Sequence, residues 1–333
     1  MLTADIFAKE TAAMYEIPVN AIENIRIGQA EDVVGATGCT VFICEAGARA
    51  GLSVQGGGPA SRESELLKPT AAAQAIHAVL LSGGSAFGLD AAGGVMQYLE
   101  QRGVGFDVGV TKVPLVCQSA LFDLTVGDCF ARPTREMAYA ACVASENGGN
   151  YRDGNHGAGI GCTVGKQRMM PYCMKSGIGS YAVQIGALQV GAVVAVNALG
   201  DVYDHKSGKM VAGLRTEDGK HLSNTCQEMY ESYAVVENKF VRNTSLGVVL
   251  TNATFQKTQL CKIASMTHDG YARAIRPVHS TADGDSIYAL SLGDVAADQD
   301  MVGTLAAEVM AEAILRAVQS AESAYGYPSL CDL

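Results

Sequence analysis

Three stretches of the chain concentrate residue types that chemistry uses. The first, Gly83-Gly84-Ser85-Ala86-Phe87-Gly88, lies between an apolar run and a helical pattern, where a phosphate-cradling loop would stand. Its spacing is not G-x-G-x-x-G, and no acidic residue follows a second strand at the right distance. A tight strand-to-helix turn, its amide N–H groups lining a pocket, is the better reading. The second stretch, Gly154-Asn-His-Gly-Ala-Gly-Ile-Gly161, leads into Cys162-Thr-Val-Gly-Lys166. Glycines this dense let backbone approach a ligand or take positive φ; composition alone favours a surface loop. The third runs from Glu237 to Val249. A polar segment ends at Asn243-Thr244 and a buried strand begins at once, so by spacing these two are turn residues ahead of a strand.

Other chemistries lack their pattern. No G-x-S-x-G elbow occurs, which argues against a serine site of the α/β-hydrolase kind. His156, His205, His268 and His279 have no H-E-x-x-H spacing, and no C-x-x-C exists among the ten cysteines, so a metal site is not expected. The cysteines read as reduced, mostly buried thiols of a cytoplasmic protein, because no export signal precedes them.

The elements that must carry these stretches follow from periodicity. Ile76–Leu81 is a buried strand; Leu89, Ala92, Met96 and Leu99 then share one helical face, and Gly103 suits a C-cap. Thr134 is a good N-cap for a helix running to Gly148-Gly149. Strands are predicted within 184–199 and over 246–250, and a helix over 256–274. Asp283-Gly284 reads as a hairpin turn between 278–280 and 286–292. A long helix over 299–323 lines up Met301, Leu305, Val309, Ala313 and Ala317. Strands and helices that cover each other in layers make one α/β domain over residues 1–333.

Composition narrows the function classes. Hydrophobic residues make up 48% of 333, enough for a sizeable core, and aromatics only 6%. The formal net charge is −10, which repels phosphate backbones, so nucleic-acid binding is not expected. No stretch reaches the roughly 18 apolar residues of a membrane span, so no membrane partner is expected either.

Several blocks, taken together, resemble the family of the D-aminopeptidase DmpA and the nylon-oligomer hydrolases. They are Leu81-Ser-Gly-Gly-Ser-Ala-Phe-Gly-Leu-Asp90, Gly157-Ala-Gly-Ile-Gly-Cys-Thr-Val-Gly-Lys166, Val196-Asn197 and Asn243-Thr-Ser-Leu-Gly-Val-Val249. His268-Asp-Gly-Tyr-Ala-Arg-Ala-Ile-Arg-Pro-Val-His279 and Asp283-Gly-Asp285 complete the series. They occur in family order over nearly the whole chain. The resemblance implies an autoprocessed N-terminal-nucleophile hydrolase of peptide or amide bonds, without a cofactor. It also implies a four-layer α/β/β/α fold and a homotetramer. Cleavage would fall between Asn243 and Thr244, leaving fragments 1–243 and 244–333.

The implied chemistry is coherent. A neutral hydroxyl needs a base beside it. A freed Thr244 carries one in its own α-amino group, which titrates at about 7.7–8.0. Lys166 matches the family lysine beside the nucleophile, where its cation keeps that amine neutral and steadies negative charge. Asn197 matches an amide donor to the oxyanion. Asp283 and Asp285 match an acidic pair that orients Thr244 and Lys166 or receives a substrate ammonium. Read singly, Lys166 would be a surface lysine, Asn197 a structural amide and Asp-Gly-Asp a turn. Lys166 and the two aspartates lean toward the amidase-like branch of the family. The alternatives are an acyltransferase resembling ornithine acetyltransferase, which lacks support from an Ala-Thr-Met-Leu-like segment here, and an unprocessed ligand-binding homologue.

Overall fold

A single 18-residue strand, Thr37–Val54, belongs to two sheets and joins them. The computed structural model describes residues 13–234 and 243–332. The first half of that strand pairs with Arg26–Asp32 and Ile76–Ser82, and its second half with Ser286–Val295. A register shift between Ile43 and Ala48 marks the passage from one sheet to the other. Beyond Ser286–Val295 the sheet continues through Leu246–Ala253, Leu188–Ala195, Ile178–Ile185 and Met14–Ile17. On the other side Val116–Ala120 and Ala60–Arg62 follow Ile76–Ser82.

Five α-helices are described: α1 Ala92–Glu100, α2 Arg135–Ala144, α3 Thr225–Glu231, α4 Lys257–Ala274 and α5 Gln299–Gln319. Side-chain alternation along the strands sorts the interior into three cores, and these define the layers. Val249, Ile287, Ala192 and Val190 pack on Leu260 and Ile263 of α4 and Val309 and Ala313 of α5. Their neighbours Val248, Leu250, Tyr288 and Val193 face Phe42, Val79 and Leu81 of the second sheet. That sheet turns Val41 and Leu80 toward Val95 and Leu99 of α1 and Ala138 and Cys142 of α2. The arrangement is therefore helix, sheet, sheet, helix. Strands buried on both faces need no polar alternation, and Leu246-Gly-Val-Val-Leu250 has none.

Local signals account for the helix ends. Thr134 accepts from Met137 N at 3.2 Å at the start of α2, and Asp298 from Met301 N at 2.9 Å at the start of α5. Two expectations are corrected. Residues 278–280 form no strand, and Asp283-Gly284 turns no hairpin. Ser286–Val295 instead pairs along both edges, parallel to Leu246–Ala253 and antiparallel to Thr37–Val54, while its faces pack on α4 and α5 and on the second sheet. In α5, Met301 lies outside the core, 40% exposed, and the helix ends at Gln319 rather than 323.

Candidate active site

The strand register brings the candidate residues to one end of the joined sheets. Leu246 pairs with Ala195 on one side and Ser286 on the other, and Ser286 with Val54. The segments just outside these pairs, at Thr244, Asn197, Asp283 to Asp285 and Gly56 to Gly58, therefore meet. Gln55 and Gly56 donate their amides to Asp285 O, and Gly58 donates to Asp283 O at 2.8 Å. Asn243 and Asp283 form a parallel bridge. All five sequence-derived candidates lie in this region, and all are buried, Thr244 at 2% exposure and Lys166 at 7%.

Three contacts decide what Thr244 can do. In the continuous chain its backbone N–H donates to Asn197 O at 2.9 Å. Lys166 Nζ donates to the same oxygen at 3.2 Å, so ammonium and Thr244 nitrogen are neighbours. The Thr244 hydroxyl donates to Asn243 O, the carbonyl of the bond before it. That carbonyl also accepts the Gly284 N–H at 3.1 Å, a fixed donor where negative charge would develop on attack. A Cβ on Gly284 would lie 2.6 Å from Thr244 Oγ1, so only glycine lets this strand come so close.

Lys166 is no surface residue. Its backbone N–H holds Leu199 O at 2.9 Å, which turns the side chain inward. Burial pushes its ammonium down to about 8; the Cys173 and Cys162 thiols and the Asp283 and Asp123 carboxylates oppose that fall. The Asn197 amide is oriented by its partners. Oδ1 receives Lys166 Nζ and the Thr163 N–H, while Nδ2 donates to Phe122 O at 2.8 Å. One of its two N–H bonds is thus turned to Phe122, and the donor on the Asn243 carbonyl is Gly284.

The aspartates act inside the protein. Asp285 Oδ1 accepts the Ser245 N–H at 2.8 Å; Oδ2 accepts the His279 N–H at 3.2 Å and lies 2.9 Å from His279 Nδ1. Asp283 Oδ2 accepts from the Ser280 amide at 2.8 Å and from its hydroxyl. Burial, then the nearby Asp285 charge, pushes the Asp283 carboxyl up to about 6, against the Ser280 hydrogen bonds and the Lys166 charge. These partners favour the orienting role over reception of a substrate ammonium.

Sequence reasoning missed several residues here. His279 holds Asp285 from a left-handed backbone with φ of 58°, and its ring packs edge-on against His268 at 4.6 Å between centroids. Ser245 Oγ accepts the Asn197 N–H at 3.3 Å. Asp123 is a buried carboxylate behind Lys166. The Asp-Gly-Asp pattern carries no signal for the His279 contact although it spans only six residues, and the partners of Ser245 lie tens of residues away. The two glycine stretches are corrected as well. The amides of Gly83, Gly84 and Ser85 do not line a pocket but bond Gly38 O, Asp123 Oδ1 and Leu121 O. Residues 157–166 are buried rather than a surface loop, clamped by the fully buried Lys175, whose Nζ donates to Cys162 O at 3.0 Å.

Comparison with known proteins bears on the family and the fold. The profile of peptidase family S58 matches residues 19–329. An uncharacterized aminopeptidase of Mycobacterium leprae is 37% identical over 324 residues, covering 90% of this chain and 86% of the relative. A 6-aminohexanoate-oligomer endohydrolase of a Kocuria species is 25% identical over 310 residues, 89% of this chain and 84% of that protein. Among solved structures, the L-aminopeptidase D-Ala-esterase/amidase of Ochrobactrum anthropi superposes with a TM-score of 0.66 at 16% identity, covering 91% of this chain and 86% of that one. A Burkholderia β-aminopeptidase gives 0.63 at 18% identity, over 94% and 92% of the two chains. Those two share its fold, described for the first as a variant of the Ntn-hydrolase fold.

Proposed function

The chain belongs to peptidase family S58 and is a hydrolase of the N-terminal-nucleophile class, and from that premise we propose that it cuts itself between Asn243 and Thr244. In the first step Thr244 Oγ attacks the Asn243 carbonyl carbon while Gly284 N–H holds the oxygen. The C–N bond breaks, the departing Thr244 nitrogen takes a proton from the adjacent Lys166 ammonium, and the proton that the hydroxyl gives up on attack returns through water to the lysine. Water then hydrolyses the ester, giving an Asn243 carboxylate and a Thr244 with free hydroxyl and free amine.

The mature site then acts on peptide or amide bonds, as an aminopeptidase or an amidase. The Thr244 amine, kept neutral by the Lys166 cation, takes the proton from its own hydroxyl, directly or through water. An acyl-enzyme ester forms, the amine product leaves, and water releases the acid. The observation that carries this reading is the shared acceptor: Thr244 N and Lys166 Nζ both bond Asn197 O, beside a hydroxyl already on the scissile carbonyl.

The sheet order supports tight association of the two fragments. Strands Leu246–Ala253 and Ser286–Val295 belong to fragment 244–333, yet lie between Leu188–Ala195 and Thr37–Val54 of fragment 1–243. Homotetrameric assembly and a cytoplasmic location complete the proposal, the latter in keeping with ten free cysteines; sedimentation and fractionation test them. Intact-mass analysis of the purified protein beside Thr244→Ala tests the core of it. Two fragments are expected for the wild type and one chain for the variant, with amide hydrolysis lost. Full activity from an uncut wild-type chain would remove the proposed base and overturn the mechanism.

A further inference from the structure

Both glycine-rich stretches, which the mechanism leaves without a part, converge on one side chain. Asp123 is 2% exposed and lies beyond the strand Val116–Ala120. Its Oδ1 accepts the Gly84 N–H at 2.7 Å, and its Oδ2 accepts the Thr37 hydroxyl at 2.7 Å. A Cβ on Gly83 would lie 1.9 Å from Asp123 Oδ2, and one on Gly161 would lie 2.6 Å from Asp123 Cβ. The first stretch thus donates an amide and leaves room for the carboxylate, and the second leaves room on its other side.

A buried carboxylate is costly unless its charge is matched. Four other titratable groups face the Lys166–Asp123 region: Asp283, the Cys162 and Cys173 thiols, and Lys175. Burial holds both thiols neutral by pushing them up, to about 12 and about 11. Lys175 is positive and works against a second cation at Lys166. Asp123 and Asp283 are then the negative groups, among the described residues, that favour the Lys166 ammonium. The residue next to Asp123 adds a second link, since Phe122 O holds Asn197 Nδ2 and so turns Asn197 Oδ1 toward Lys166 Nζ.

We propose that Asp123 is a positioning residue of this site, the buried counter-charge that keeps Lys166 cationic while its segment locks the Asn197 amide beneath it. This rests on the self-cleavage reading above. It assigns the two glycine stretches a shared purpose, which is to enclose a carboxylate rather than a substrate phosphate. Burial pushes the Asp123 carboxyl up to about 6, so it is ionised at neutral pH and lost as a counter-charge in acid.

The test uses Asp123→Asn, which keeps the shape and hydrogen-bonding capacity of the side chain. Full-length chain made by cell-free synthesis is pulse-labelled, moved to buffers from pH 5 to 10, and followed on gels for cleavage. Before cleavage no Thr244 amine exists to titrate, so the basic limb of the wild-type rate reports Lys166. Removing a nearby opposite charge shifts a neighbour's titration by about one pH unit or more. The expected result is a basic limb about one unit lower, with cleavage at pH 8 slowed about 5-fold. Thr37→Val provides a second reading if Asp123→Asn does not fold. Losing a donor keeps Asp123 neutral to higher pH, so the basic limb should fall as in Asp123→Asn, by a smaller amount. Unchanged limbs in a folded variant overturn the proposal and leave self-cleavage standing. A wild-type chain that never cleaves instead overturns the reading on which it rests.

Discussion

Replacing Lys166 by methionine should make the uncut fold more stable while removing its chemistry. The comparison is Thr244→Ala against Lys166→Met/Thr244→Ala, so that neither chain is processed. Burial lowers Lys166 from 10.5 to about 8. The folded state therefore binds this proton less tightly than the unfolded chain does. Stability from such a group is present above the unfolded value and is lost as pH falls through the folded value. At pH 7 the loss is complete and, at about 1.4 kcal/mol per pH unit, amounts to about 3 kcal/mol. Methionine also forfeits the Nζ hydrogen bonds, yet neither acceptor is orphaned. Asn197 O retains the residue 244 N–H, and Oδ1 retains the Thr163 N–H. A net gain of about 1–3 kcal/mol at pH 7 is expected, because the cost of desolvating the ammonium outweighs its attraction to Asp283 and Asp123. Urea unfolding would show it as a raised midpoint at unchanged slope. The gain should shrink from pH 8 upward and vanish above 10.5, where lysine is neutral in both states. A loss of stability at pH 7, or a gain indifferent to pH, would refute the reasoning.

Two further substitutions probe the nucleophile's surroundings. Gly284→Ala puts a methyl group 2.6 Å from Thr244 Oγ1, so either the hydroxyl or the Gly284 donor must move. Self-cleavage should slow about 100-fold, the scale of losing one oxyanion donor, and time-resolved intact mass showing wild-type kinetics would contradict that. His279→Ala removes the ring nitrogen from Asp285 but leaves the carboxylate its Ser245 N–H. A cleavage rate about 10-fold lower is expected, with a stability loss of about 1–2 kcal/mol; an unchanged rate alongside that loss would make His279 purely structural.

Much of the scaffold was legible from local pattern. Thr134 does cap α2, and the apolar run at 246–250 is a strand, because these signals act within a few residues. The same locality misled at Asp283-Gly284. A dipeptide suited to a hairpin stands instead where two parallel strands begin, since its partners at Asn243 and Gly58 come from elsewhere in the chain. The glycine stretches read as pocket-lining turn and surface loop for the same reason. Their purpose depends on Asp123 and Lys175, which periodicity does not connect to them.

The order of the blocks along the chain by itself determined the family, the hydrolytic class and the candidate set of Thr244, Lys166, Asn197, Asp283 and Asp285. Only the tertiary structure decided what those groups touch. It turned both aspartates inward, gave Gly284 the Asn243 carbonyl, and set a buried lysine and the Thr244 nitrogen on one oxygen. The physical reason is that side-chain chemistry is written in residue identity. Charge, hydrogen-bond direction and acidity arise from neighbours that burial brings together, and for Lys166, Asn197 and Thr244 the deciding neighbours lie tens of residues away.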